Sequence, residues 1–342
     1  MSISAKELAT KLNISAATVS MVFNNKPGIS PATKAMVLEA AKEFGYEPAK
    51  KAEESQPNQI IHFIIYKKHG NVVTDTPFFA QIMEGINLQC QKYHCRQQIT
   101  YVYENPSLQT RLNDIYKLEC SGILLLATEM EPKDFKHFEK LNVPIVILDN
   151  YFEDIKHDSV LINNTQGAYS ATKHLIQNGH KQIGYLHSNI EIGNFKERRD
   201  GYCKALSAHQ LPVNDNFISS VTPTSEGAYE DIKRYLDTSP KIASAYFADN
   251  DIIAVAAMRA FKEAGFKIPE DISIIGFDDL PICTLTEPAL TTMSVPKLQL
   301  GALAVDRLVN QINNNTNEII KIEVAPTLTE RRSVHTLPTS FL

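Results

Sequence analysis

The chain has 342 residues, 43% of them hydrophobic and 21% charged, and a net charge of −5. Those proportions exclude a disordered or collagenous chain, and the length points to two or three domains. The longest apolar runs, Ile60–Tyr66, Ile123–Ala127 and Val143–Leu148, are strand-sized, whereas a membrane helix needs roughly 18 apolar residues. Five cysteines (Cys90, Cys95, Cys120, Cys203 and Cys283) form no CxxC pair, and the first residues show no basic region followed by an apolar core. A cytoplasmic protein with free thiols is the expectation.

Charge is unevenly spread. Residues 1–51 hold seven lysines and four glutamates, a net +3 on a chain of −5. A basic head on an acidic body is a charge pattern of DNA-binding regulators. Ser4 is placed to cap a helix over Ala5–Leu12, and Ser15 to cap a second over Ala16–Phe23 that buries Val19, Val22 and Phe23. After the loop Asn24–Gly28, Ser30 caps a third helix with Pro31 at its first position, where the missing N–H costs nothing. Met36, Val37, Ala40, Ala41 and Phe44 form its expected buried stripe.

Residues 48–58 carry no large apolar side chain and read as a linker or hinge. From Ile60 onward apolar strands alternate with helices. Strands are predicted at Ile60–Tyr66, Ile99–Tyr103, Gly122–Ala127, Val143–Leu148, Gln182–His187, Ala243–Phe247 and Ser273–Phe277. Helices are predicted at Phe79–Tyr93, Leu108–Leu118, Lys133–Leu141, Thr165–Asn178, Lys196–Ala208, Ala228–Leu236 and Asp251–Ala264. Strands that are apolar throughout, separated by helices, imply parallel sheets covered on both faces. The number of repeats is too large for one sheet, so two doubly wound α/β sub-domains are expected.

Two short helices joined by a tight turn have the geometry of a helix-turn-helix, whose second helix enters the major groove, and equally of an ordinary helical hairpin. The residues themselves point to one of these. Ser15-Ala-Ala-Thr-Val-Ser-Met-Val-Phe-Asn-Asn, then Ile29-Ser-Pro-Ala-Thr-Lys, then Phe44-Gly-Tyr-Glu-Pro resemble the headpiece of the LacI/GalR family. Further matches follow in that family's order: Phe78-Phe79-Ala-x-x-Met-x-Gly-Ile, Val143-Pro-Ile-Val-Ile-Leu-Asp149, Gly179-His-Lys-x-Ile-Gly-Tyr, Arg198-x-x-Gly-Tyr, Asn250-Asp-x-x-Ala and Ile275-Gly-Phe-Asp278-Asp279.

The resemblance implies a homodimeric transcription regulator, a repressor, whose operator affinity is set by a small molecule, a sugar or sugar derivative, in a periplasmic-binding-protein-like core. It implies a headpiece over 1–47, a hinge over 48–58 and a core over 59–342. Within the core it implies one sub-domain over 59–162 plus 292–322 and another over 163–291 plus 323–342. Ser4, Ser15, Thr18, Asn24, Ser30 and Thr33 are implied as phosphate-contacting and positioning residues. Ala16, Ala17 and Met21 stand where the family reads bases. None of these three forms a bidentate hydrogen bond, so direct readout is limited to thymine methyls and packing. At the hinge this chain departs from the family: Ser55 replaces the leucine that wedges into the minor groove, and Glu53 replaces an arginine. Wedges are large and apolar, so the hinge is expected to bend DNA less.

For the effector, Asp149, Asn250 and Asp278 follow predicted strands, at the edge where open α/β sheets bind ligands, and Arg198 opens a helix. Carboxylates and a guanidinium suit adjacent hydroxyls, and Phe78 and Phe79 offer aromatic surface. His187, Asn189 and Phe195 lie in the variable loop of the implied pocket. Alternatives of the same regulator type with a nucleobase-like effector, or a solute-binding protein, share this core. No GxGxxG, GxxxxGK[ST], GxSxG or HExxH motif is present, so no enzyme, cofactor or metal is expected.

Overall fold

The computed structural model describes residues 3–23, 28–46, 59–73, 76–238, 240–314 and 318–338. Two compact units result, residues 1–58 and residues 59–342. The hinge, with Glu53 and Ser55, lies outside the described residues.

The headpiece holds helices α1 (Ala5–Lys11), α2 (Ala16–Phe23) and α3 (Pro31–Glu43). Serine hydroxyls begin all three. Ser4 and Glu7 form a reciprocal capping box, Ser15 Oγ accepts from Thr18 N at 3.0 Å, and Ser30 Oγ accepts from Thr33 N at 3.1 Å. Each cap satisfies N–H groups that a helix start leaves without partners. Leu8, Ala9, Val19, Val22, Val37, Ala40 and Ala41 form the core. Met36 departs from the expected stripe and is exposed. It lies about 100° around the helix from Val37, and with small alanines at 40 and 41 the headpiece core closes without it.

The second unit runs β1 (Ile60–Lys67), α4 (Pro77–Lys92), β2 (Arg96–Tyr103), α5 (Leu108–Tyr116), β3 (Gly122–Leu126), α6 (Pro132–Phe135), β4 (Ile145–Leu148) and β5 (Asp158–Ile162). It continues α7 (Asn164–Gln177), β6 (Ile183–Ser188), α8 (Gly193–Ala208), β7 (Ile218–Val221), α9 (Ser225–Asp237), β8 (Ala245–Ala248), α10 (Asp251–Glu263) and β9 (Ser273–Asp278). It ends with β10 (Thr291–Ser294), α11 (Lys297–Asn314), β11 (Lys321–Val324) and β12 (Thr327–Thr329). One parallel sheet has the order β11-β5-β4-β3-β1-β2. The other has the order β12-β10-β9-β8-β6-β7, with only β12 antiparallel. The chain therefore passes between the sheets three times, after Ile162, after Ser294 and after Val324. The second and third of these crossings fall three and two residues after the boundaries expected from the sequence. Among the described residues no helix is long and apolar enough to cross a membrane.

β1 shows why the sheets form. Ile61, Phe63 and Ile65 face one side, where they join Ile82 and Ile86 of α4 and Leu300 of α11. Ile64 and Tyr66 face the other, against Phe135 and Phe138. Alternation along the strand sends successive side chains to opposite faces, and both are covered. α4 and α11 meet through glycines. A Cβ at Gly85 would lie 2.1 Å from the Leu298 carbonyl oxygen, and one at Gly301 2.3 Å from that of Ile82. Only glycine allows backbones this close.

Two predicted elements differ. The helix expected over Lys133–Leu141 stops at Phe135, and the chain continues in tighter turns, with Phe138 N donating to Phe135 O and Leu141 N to Phe138 O. Its apolar residues recur every three positions, a spacing that suits 3₁₀-type turns. The strand predicted at Ile99–Tyr103 is at the sheet edge, and Ile99, Tyr101 and Tyr103 are exposed along one face.

Candidate functional site

On the headpiece, Ser15, Ala16 and Ala17 are exposed at the start of α2, and Thr18 is half-buried with its hydroxyl 2.9 Å from that of Ser15. Met21 is half-buried, its methyl group beside Gly28. Ser4, Ser30 and Thr33 stand at the starts of α1 and α3, and Asn24 lies outside the described residues. The capping serines thus sit at helix N-termini, where backbone N–H groups and the helix dipole favour an anion such as a phosphate.

In the second unit the C-terminal ends of β4, β8 and β9 meet the N-terminal turns of α4, α8 and α10. One small cavity there is lined by all six residues singled out from the sequence: Phe78, Phe79, Asp149, Arg198, Asn250 and Asp278. Phe195 also lines it. His187 does not: its Nδ1 lies 2.8 Å from Asp249 Oδ2, and Asn189 donates to Thr222. The enclosed space is only about 30 Å³. A groove of about 470 Å³, walled by Met130, Tyr151, Phe152 and Glu197 among others, opens next to it and shares Ile192 and Asn194 with it.

Arg198 is 3% exposed. Its Nε donates to Asn164 Oδ1 at 2.9 Å, one terminal nitrogen donates to the Asp249 carbonyl, and the other lies 3.3 Å from Asp278 Oδ1. The guanidinium lies 3.8 Å from the centre of the Phe277 ring, a favourable cation–π geometry in a desolvated place. Asp149 accepts from Thr128 Oγ1 at 2.7 Å and from Asn194 Nδ2 at 3.1 Å. Asn250 caps α10, its Oδ1 accepting from Ile253 N at 2.9 Å. Lys297 donates to the Asp278 carbonyl and lies 5.8 Å from the Phe78 ring centre.

Three aspartates at strand ends, Asp149, Asp278 and Asp279, have φ of 63°, 111° and 55°. Such backbone costs on the order of 1–3 kcal/mol per residue and persists where the surroundings enforce it, often at ligand sites. Thr128, Asn164, Asn194 and Lys297 were not singled out from the sequence. They act through hydrogen bonds to partners tens of residues away, for which a single sequence carries no signal. Among the described residues no group of three or more His, Cys, Asp or Glu is placed to hold a metal.

Burial pushes the Asp149 carboxyl from 3.8 up to about 6, against the opposing hydrogen bond from Thr128. Burial raises Asp278 too, despite Arg198 beside it. A carboxyl raised in the folded state binds its proton more tightly there than in the unfolded chain. Its stabilising contribution is therefore present at low pH and is lost as pH rises from about 4 through 6. Asp149→Asn removes this term. Between pH 5 and pH 8 the stability of the variant relative to the wild type is therefore expected to rise by about 1 kcal/mol. Urea melts of both proteins at the two pH values measure it, and equal pH slopes would refute it.

Residues 4–49 match the family model of bacterial regulatory proteins, lacI family, and residues 172–334 match that of the periplasmic binding protein-like domain. The HTH-type transcriptional repressor PurR of Aliivibrio salmonicida is 32% identical over 337 residues, covering 97% of this chain and 99% of that protein. This chain belongs to the lacI family of bacterial regulatory proteins. The ribose operon repressor of Haemophilus influenzae, another relative, is 31% identical and covers 97% of this chain and 98% of its own. The CelR–cellobiose complex superposes on this lacI-family regulator with a TM-score of 0.73 at 24% identity, covering 97% of this chain and 99% of that one, and so shares its fold. The lacI-family chain is thus a DNA-binding transcriptional repressor under the control of an effector.

Proposed function

We propose that this repressor binds a near-palindromic operator as a homodimer in the cytoplasm and responds to a sugar or sugar derivative, with no catalytic step. The observation that carries the effector reading is the convergence of Phe78, Phe79, Asp149, Arg198, Asn250 and Asp278 on one cavity between the sheets. Two carboxylates and a planar donor fork pair with vicinal hydroxyls, and the phenyl rings take the apolar face of a sugar ring. The ribose operon repressor and the cellobiose complex among the similar proteins agree with that chemistry. A solute-binding protein has no use for a helix-turn-helix headpiece.

In this reading Ser4, Ser15, Thr18, Asn24, Ser30 and Thr33 hold the phosphates, while Ala16, Ala17 and Met21 face base edges. Apolar side chains there leave sequence readout to thymine methyls and DNA shape. The dimer surface is the edge of the first sheet. Ile99, Tyr101 and Tyr103 form an exposed apolar row, with Leu88 of α4 also exposed, and Lys67 lies over both tyrosine rings. Leu285, 82% exposed, supplies a second apolar point on the other sub-domain. Exposed apolar patches of this kind mark association surfaces.

Fluorescence anisotropy with DNA from upstream of the protein's own gene, titrated in the presence of D-ribose, cellobiose, other sugars and nucleobases, tests the function. A sugar that shifts operator affinity is the expected result. A shift with nucleobases alone, or with none of these compounds, overturns the sugar reading.

A further inference from the structure

Asn164 is 1% exposed and stands at the first turn of α7, two residues after the chain leaves β5 of the first sheet for the second sub-domain. The residue before it, Asn163, donates its backbone N–H to Val324 at the third crossing. Asn164 therefore sits where two of the three connections between the sheets run side by side. Its Oδ1 accepts from Arg198 Nε at 2.9 Å. Its Nδ2 faces Glu197 Oε2 at 3.0 Å, Asn194 Oδ1 at 3.3 Å and the Ile162 carbonyl at 3.3 Å. Asn194 in turn donates to Asp149. One buried amide thus reaches both ends of the cavity, the Arg198–Asp278 end directly and the Asp149 end through Asn194. An amide suits this place because it both accepts and donates, whereas a carboxylate could not donate to Glu197 and a hydroxyl would be too short.

We propose that Asn164 is the positioning residue of the effector site: it fixes the Arg198 guanidinium and ties it to the crossing between the sheets. This rests on the reading of the cavity as the effector site. Arginine retains many rotamers, and a fork aimed at a ligand is useful only when held in one of them. Phe277 fixes the plane of the guanidinium, and Asp278 and the Asp249 carbonyl take its terminal nitrogens. Asn164 takes Nε and so sets the angle of the fork within that plane. Because Asn164 is anchored at the crossing, a change in the angle between sub-domains alters the aim of Arg198.

The test uses ¹⁵N-labelled full-length protein without ligand. The Arg198 Nε–H signal is assigned by its loss in Arg198→Lys, and its solvent exchange is measured. In Asn164→Ala it is expected to exchange at least about ten-fold faster. In Asn163→Ala, which removes the cap of the same helix (Asn163 Oδ1 accepts from Gln166 N at 3.0 Å), it is expected to be unchanged. Unchanged exchange in Asn164→Ala, or equal acceleration in both variants, overturns the proposal, since the second would mean that Asn164 only supports the start of α7. A second arm uses D-ribose as probe: where it stabilises the wild type, Asn164→Ala should weaken its binding about ten-fold and Asn163→Ala should not. Failure of the effector reading itself would look different, with ribose binding unaffected by Arg198→Lys while the exchange of Arg198 still depends on Asn164.

Discussion

Replacing Arg198 with alanine is expected to abolish every sugar-induced thermal shift and to lower the stability of the free protein by about 3 kcal/mol. The two effects have separate causes. The guanidinium is the buried counter-charge of Asp278 and fills the space over Phe277. Its loss leaves a buried carboxylate without its counter-charge and opens a void beside an aromatic ring. The effect on binding arises because no other described side chain lining the cavity carries a guanidinium fork or a positive charge. Arg198→Lys separates the two. Lysine keeps the charge near Asp278 but lacks the fork that reaches Asn164 and the Asp249 carbonyl. It should restore most of the stability and little of the effector response. Differential scanning fluorimetry with and without sugars reads both quantities, and a retained ligand shift in Arg198→Ala would refute the assignment.

Tyr101→Glu is expected to convert the proposed dimer to monomer at micromolar concentration and to weaken operator binding by about 10²–10⁴-fold. Tyr101 is the middle residue of the exposed row on β2, and at the surface it costs the fold little to change. A glutamate there would bring two like charges together across a two-fold axis in an apolar contact, which is costly to desolvate. The loss in DNA affinity follows because each headpiece reads one half-site, and dimerisation makes the second contact intramolecular. Light scattering gives the mass, and anisotropy gives the affinity. A monomer that binds the operator as tightly as wild type would overturn the role of this edge, and so would an intact dimer.

The α/β class was legible because β3 and β4 are apolar throughout and β1 and β9 are apolar over most of their length, a pattern typical of buried parallel strands. The strands β5, β7, β10, β11 and β12 were not legible. Each has five residues or fewer, and several carry polar residues, as Thr291-Thr292 of β10 and Lys321 and Glu323 of β11 show. Their strand conformation comes from pairing with neighbours distant in sequence, not from local preference. The headpiece was read closely because its serine caps and apolar spacings are local signals. At the cavity, Asp149, Arg198 and Asp278 stand out by residue type and resemblance. Asn164 does not, because an asparagine at the start of a helix is ordinary, and only the folded chain brings it to Arg198.

The glycine contacts between α4 and α11 give these helices a mechanical character. Two backbones in direct contact have no soft layer of side chains between them, so the pair shifts as one beam. At one end of α4 are Phe78 and Phe79 at the cavity, and the same end of α11 carries Lys297, bonded to the strand end at Asp278. Toward the other end of α4, which is about 24 Å long for its 16 residues, are the exposed Leu88 and, just past the helix, Tyr93, whose hydroxyl donates to Asp306 of α11. A displacement of the phenyl rings cannot be absorbed by sliding one helix over the other. It is expected to reach that far end as a tilt of both helices together.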